Sequence, residues 1–182
     1  MFDLLIKNAL IYDGSGAPAF YGDVGVTGGK IAAVGKDLPE RAERIVEADG
    51  LSLAPGFIDC HSHSDQSLCA DPLRLHVLRM GVTTEISGQC GSSVSPASDN
   101  MTEDTRAFQS KKFSPLFVTM AEQLDAMKDW ELGPNQRFFT GHGLLRAGAM
   151  QLEARPAGAE ELKVMQDALT DYCKFIMDLV KT

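Results

Sequence analysis

The chain has 182 residues, 44% hydrophobic and 23% charged, the composition of an ordinary globular protein of one domain, or of one and part of another. Its 17 Lys and Arg against 25 Asp and Glu give a formal charge of −8, and no basic cluster could neutralise a run of phosphates, so nucleic acid is not an expected partner. The four cysteines, Cys60, Cys69, Cys90 and Cys173, form no Cys-x-x-Cys pair and are spaced too irregularly for a disulfide framework; reduced thiols are expected, one of them a candidate ligand.

At the amino terminus, Asp3 and Lys7 interrupt the apolar residues and no small-residue cleavage site follows, so neither a secretory signal nor a membrane span fits. A cytoplasmic location without membrane contact is the expectation. Phe2 to Asn8 and Ala9 to Tyr12 read as two strands ending in an Asp13-Gly14-Ser15-Gly16 turn. Tyr21 to Thr27 alternates, with Val24 and Val26 on one side, and Gly28-Gly29 turns it into a strand from Lys30 to Gly35. Arg44 to Ala48 and Leu51 to Leu53 complete an all-β module over residues 1–55.

After Pro55-Gly56 the period changes. Phe57 and Ile58 form a short strand, and Asp71-Pro72 opens a helix that Gly81 stops. Val82 to Ser87 is a second strand, so strand, helix and strand form a βαβ unit with parallel pairing. Residues 92–114 lack a long period and read as an excursion above the strand ends, with Lys111-Lys112 solvated. Thr119 to Trp130 is a helix with Leu124 and Met127 on its apolar side, and Gln136 to Thr140 is a third strand. From Ala159 onward Leu162, Met165, Leu169, Tyr172 or Cys173, Ile176 and Leu179 recur at helical spacing.

Each of the three strands after Pro55 ends in a polar group: His61 and His63, then Cys90, then His142. In parallel α/β architectures catalytic groups collect at the carboxyl ends of strands. The i, i+2 spacing of His61 and His63 puts both imidazoles on one side of a strand, and two imidazoles with a thiolate favour zinc over magnesium or calcium. Asp59 and Asp65 stand near enough to orient the rings. Gly88 and Gly91 let the backbone around Cys90 come close to something. His142 either contacts substrate or closes a turn. Cys60, Cys69 and Cys173 are assigned to packing, His76 to a helix surface, and Arg146 to an ordinary salt bridge in preference to a substrate carboxylate.

These residues resemble a known family. Asp3-Leu4-Leu5-Ile6-Lys7-Asn8, Asp13 to Gly16, Gly29 to Gly35, Pro55 to Asp65, Gly81-Val82-Thr83-Thr84, Gly88-Gln89-Cys90-Gly91 and Gly141-His142-Gly143 together resemble the N-acyl-D-amino-acid deacylase (D-aminoacylase) branch of the amidohydrolase superfamily. The resemblance implies an α/β fold: part of a small β-sandwich over 1–55, and over 56–182 the first three βα units of an incomplete (β/α)₈ barrel. It implies zinc bound by His61, His63 and Cys90, His142 near a small N-acyl amino acid substrate, and a catalytic aspartate on a later strand.

Such a barrel takes about 250 residues, roughly twice the number present after Pro55. A fragment, inactive by itself, is therefore expected. Gln89 stands where the family commonly has asparagine, and the chain from Tyr172 does not resemble the run into a fourth strand. Two alternatives stand beside deacylation. One is hydrolysis of a cyclic amide, as in hydantoinases and dihydroorotases, which rely on a carboxylated lysine and not on a thiol. The other is a non-catalytic truncated product that self-associates into homo-oligomers through exposed sheet edges.

Overall fold

The structure, a computed structural model, describes residues 1–110 and 115–180, with side chains to 177. Lys111, Lys112 and Ser114 lie outside the described residues, as does the side chain of Leu179. The chain divides into two compact units, Met1–Pro55 and Gly56–Thr182.

In the first unit β1 (Phe2–Ile11), β2 (Phe20–Thr27), β3 (Lys30–Gly35) and β4 (Ala42–Glu47) form one sheet in the order β3-β2-β1-β4, and β5 (Ser52–Leu53) also pairs with β1. The described residues of this unit make one sheet, without the second layer of a sandwich. The two strands expected over residues 2–12 are one. Register slips between Ile6 and Ala9, and Asn8 takes the left-handed conformation at φ 55°, which asparagine tolerates better than most residues. The buried Asp23 carboxylate accepts the Asn8 N–H at 3.0 Å and the Leu38 N–H at 2.9 Å. This bulge shifts the alternation by one residue, so that Ile6 falls on the same side as Ala9 and Ile11, while the fully buried Leu5 lies outside their cluster. Ile6 before it and Ala9 and Ile11 after it therefore join Val24, Val26, Ala48 and Leu53 in one apolar cluster.

The second unit is built on three parallel strands, β6 (Phe57–Asp59), β7 (Val82–Ser87) and β8 (Asn135–Phe138), in that order across the sheet. The helix expected from Asp71 is much shorter: α1 spans only Leu75–Leu78. Asp71 instead accepts the Arg74 N–H at 3.2 Å, and Arg74 sits at φ 43°. The excursion over residues 92–114 holds a helix, α2 (Glu103–Ser110), in which only Thr105 is buried, so its sequence carries no apolar stripe. Helix α3 (Met120–Met127) has a full capping box, Thr119 with Glu122. Helix α4 (His142–Met150) is absent from the sequence-based expectation. It carries two glycines that weaken the helical pattern, yet Leu144, Leu145, Ala147 and Met150 are all buried. Leu144 and Ala147 pack with Ala97, Met101 and Leu116. Helix α5 (Ala159–Val180) has the expected period, with Met165 buried while Leu162, Val164 and Leu169 remain exposed.

A parallel strand is normally apolar along its length, but β7 carries Glu85 at 1% exposure. Burying a carboxylate is tolerated only when it is paired and hydrogen-bonded. Arg74 supplies both, donating from Nε at 2.6 Å and Nη2 at 2.9 Å, while Ser62 Oγ donates at 2.9 Å and Gln136 Nε2 at 3.1 Å. Four donors from α1's approach, the β6 end and β8 thus converge on one side chain of the central strand. Burial pushes the Glu85 carboxyl up, but the hydrogen bonds from Arg74, Gln136 and Ser62 outweigh it and hold it below the usual carboxylate range.

The loops after β7 and β8 touch backbone to backbone. Phe139 N–H donates to the Ser87 carbonyl at 2.8 Å, and a Cβ on Gly88, at φ 80°, would lie 2.0 Å from the Phe139 carbonyl oxygen. A Cβ on Gly141 would lie 2.5 Å from the Gly91 carbonyl oxygen. Neither position admits a side chain without moving the opposite loop.

Gly88→Ala combines a left-handed backbone with a collision against a carbonyl, and is expected to lower stability by at least about 2 kcal/mol in urea denaturation. A loss within experimental error would contradict the close contact. Because Glu85 titrates below its unfolded value, its contribution to stability is complete above about pH 4.5 and is lost as pH falls through its depressed folded pKa. Thermal stability is expected to decline on acidification below that point, with a shallower decline in Glu85→Gln; equal slopes would contradict the assignment.

Candidate metal centre

Strand β6 stops at Asp59, but its pairing does not. Ser62 N–H donates to the Ile86 carbonyl of β7 at 3.0 Å, and Ser62 Oγ turns inward to Glu85. Chain alternation then separates the two sides: Ser62 and Ser64 are buried, and His61 and His63 are exposed. The two imidazoles stand edge to face with ring centroids 5.8 Å apart. Asp59 Oδ1 accepts the His61 backbone N–H at 3.0 Å, so it shapes the turn and does not orient a ring.

Cys90 reaches the same point from the neighbouring strand. It comes just after the pinned Gly88 and itself takes φ 54°, an uncommon conformation for a residue with a side chain. Gln89 Nε2 ties this loop to the Cys60 carbonyl at 2.9 Å and to the Ile86 carbonyl at 3.4 Å. His61 Nε2 and Cys90 Sγ lie 3.1 Å apart, and one donor atom from each of His61, His63 and Cys90 lies within 4.8 Å of the others. Tetrahedral zinc with two nitrogens and a sulfur holds its ligand atoms about 3.3–3.6 Å apart. One of these distances is already that short, and the others, at most 4.8 Å, would close by no more than about 1.5 Å through side-chain torsions. The donor set therefore fits zinc.

Asp65 lies two residues beyond His63 and is 5% exposed. Burial pushes its carboxyl up to about 6, opposed by His63 and by the N–H groups of Gln66 and Gly88. His142 is the first residue of α4 and is exposed; it is not one of the three clustered donors. His76 is an exposed residue of α1 with its Nδ1 3.5 Å from Asp71. Among the described residues Arg146 Nη2 donates to the carbonyls of Glu153 and Arg155, both at 2.6 Å, in place of the expected salt bridge. Cys60 and Cys173, expected to pack, are exposed, because Cys60 lies where the chain leaves β6 and Cys173 is on the outer side of α5; Cys69 is half-buried. A groove of about 540 Å³ opens elsewhere in this unit, between α4, α5 and the 96–100 segment, with none of the three donors in its lining.

Sequence reasoning missed Arg74, Ser62, Glu85 and Gln136, which support the site from beneath. The available signal was a glutamate in the middle of Val-Thr-Thr-Glu-Ile-Ser, since an acid there must find a partner.

No family model matches the chain. It is 35% identical over 166 residues to D-aminoacylase of Alcaligenes xylosoxydans xylosoxydans, covering 91% of this chain and 34% of that protein. Among solved structures, D-aminoacylase superposes with a TM-score of 0.84 at 32% identity, over 94% of this chain and 36% of the other. N-acyl-D-glutamate deacylase from Bordetella bronchiseptica, solved with zinc and a phosphonate inhibitor that mimics the tetrahedral intermediate, superposes at 0.82 with 33% identity, over 94% and 36%. The chain spans about a third of the length of these relatives. In sequence and in structure alike, nearly the whole chain resembles the amino-terminal portion of the N-acyl-D-amino-acid deacylase branch of the amidohydrolase superfamily.

Proposed function

We propose that this chain contributes His61, His63 and Cys90 to a zinc site in an enzyme that hydrolyses the amide bond of N-acyl-D-amino acids. The observation that carries the reading is the meeting of two imidazoles and a thiol from the ends of adjacent parallel strands, with 3.1 Å between His61 Nε2 and Cys90 Sγ. The resemblance to deacylases, one of them solved with zinc, supports it. In this reading residues 56–182 are the first three strands of a (β/α)₈ barrel with the site at its carboxyl-terminal mouth, residues 1–55 belong to a β-sandwich, and His142 faces the substrate.

Zinc held there supplies Lewis acidity to an amide carbonyl and lowers the pKa of its water. The chain's own share is positioning. Cys90 binds as the thiolate, giving up its proton on ligation, and its loop is fixed by the Gly88 contact. His61 and His63 bind through neutral nitrogens, on a segment tied by Ser62 to β7. The thiol also separates this reading from cyclic-amide hydrolysis through a carboxylated lysine.

A second reading draws on other residues. Phe57 and Ile58 on edge strand β6 are 61% and 60% exposed, and α5 exposes Leu162, Val164, Leu169, Ile176 and Met177 among its polar residues, surfaces through which copies of a non-catalytic chain would associate.

The test is made on the full-length protein purified with zinc. Deacylation of N-acyl-D-amino acids is expected, with kcat/KM falling at least about 100-fold on chelation and in Cys90→Ala. Undiminished activity after both treatments would refute the zinc assignment. Sedimentation of the 182-residue chain checks the second reading: a monomer at micromolar concentration would count against it.

A further inference from the structure

Between the two histidines sits a residue that does not face the site. Ser62 is buried, and its three hydrogen bonds fix it from three directions: its N–H to the Ile86 carbonyl at 3.0 Å, its Oγ–H to Glu85 Oε1 at 2.9 Å, and its Oγ from the Ser64 N–H at 3.1 Å. Glu85 is in turn clamped by Arg74 from two nitrogens, and Arg74 Nη1 reaches Ser67 Oγ at 3.4 Å, on the far side of the same loop. Ser64 Oγ donates to Gln136 Oε1 at 3.1 Å, and Gln136 Nε2 returns to Glu85 Oε2 at 3.1 Å. Residues 62, 64 and 67 of the loop that carries His61 and His63 are thus all held by one buried polar network centred on β7.

We propose that Glu85 and Arg74 are positioning residues for the His61–His63 pair, acting through Ser62 on the backbone between the two imidazoles. The inference rests on the reading of that pair as metal donors. Neither Glu85 nor Arg74 touches a ring or the thiol. Their effect is to fix where the two Cα–Cβ bonds point, on the side of the chain opposite Ser62. Three features favour this over a purely structural ion pair. Arg74 holds φ 43°, a strained backbone for a residue whose side chain must reach Glu85. The pair alone would satisfy its charges without serine, yet the loop supplies hydroxyls at 62 and 67 to the same cluster. The bonds lock the chain at the position between the donors, where a small rotation would swing both rings. Partners that orient ligands from behind are typically worth about 10- to 100-fold in metal affinity.

The experiment measures zinc affinity of the full-length protein by competition with a chromophoric chelator, beside thermal unfolding of the metal-free form. Ser62→Ala is expected to weaken zinc binding about tenfold, with a modest loss of metal-free stability because Glu85 keeps its donors from Arg74 and Gln136, and Ser62→Thr, which keeps a hydroxyl, is expected to restore most of the affinity. Glu85→Gln is expected to weaken it as much or more, and if that variant does not fold, Ser62→Ala and its rescue decide. Parent-like affinity in Ser62→Ala, or an equal loss in Ser62→Thr, would overturn the proposal. His61→Ala distinguishes the two levels: if the parent binds no zinc, or His61→Ala binds it equally well, the metal reading itself falls and the positioning role with it. If His61→Ala abolishes binding while Ser62→Ala does not weaken it, only the positioning role falls.

Discussion

Contact between two backbones decides where the thiol of Cys90 can go. The loop leaving β7 and the loop leaving β8 approach so closely that a single carbon at Gly88 or Gly141 would collide with a carbonyl oxygen. With both loops fixed, the chain between Gly88 and Gly91 has little freedom, and Cys90 accepts φ 54° within it. Strain of this kind persists only where the surroundings impose it. The result is a sulfur 3.1 Å from His61 Nε2, although the two residues come from different strands.

The histidines are held by a different kind of force. Glu85 is a buried charge on a central strand, and an unpaired charge there would be strongly destabilising. Its partners come from the approach to α1, from the end of β6 and from β8, so the requirement to satisfy one carboxylate ties three segments together. The polar network lies on the inner side of the loop and the candidate donors on the outer side. A sheet of three short strands thereby presents two imidazoles and a thiol at one edge, with steric exclusion fixing one strand end and charge satisfaction the other.

Much of this was legible in the sequence where a local rule decides. The three strands after Pro55, their parallel order and the polar residue at each end are read from short β-rich runs bounded by glycine. The period of α5 is plain because apolar residues recur every three or four positions, although Met165 is buried and Leu162, Leu169 and Ile176 stay exposed. What stayed hidden depended on distant partners. The bulge at Asn8 joins two apparent strands into one because Asp23, fifteen residues on, takes its N–H. Helix α4 reads as glycine-broken, and only its burial against Ala97 and Met101 makes it a helix. Asp71-Pro72 has the local chemistry of a helix start, but Arg74 is drawn to Glu85 and the helix begins after it. Within the candidate site the grouping of His61, His63 and Cys90 was readable from their types and spacing; the residues beneath them were not, because serine and glutamine carry no signal of burial until their partners are known.

The central claim is that His61, His63 and Cys90 share one metal ion, and X-ray absorption at the zinc edge of the zinc-loaded full-length protein tests it most directly. The account predicts one sulfur scatterer at about 2.3 Å together with imidazole nitrogens at about 2.0 Å, the sulfur disappearing in Cys90→Ala. A first shell of nitrogen and oxygen alone, unchanged by that substitution, would contradict it.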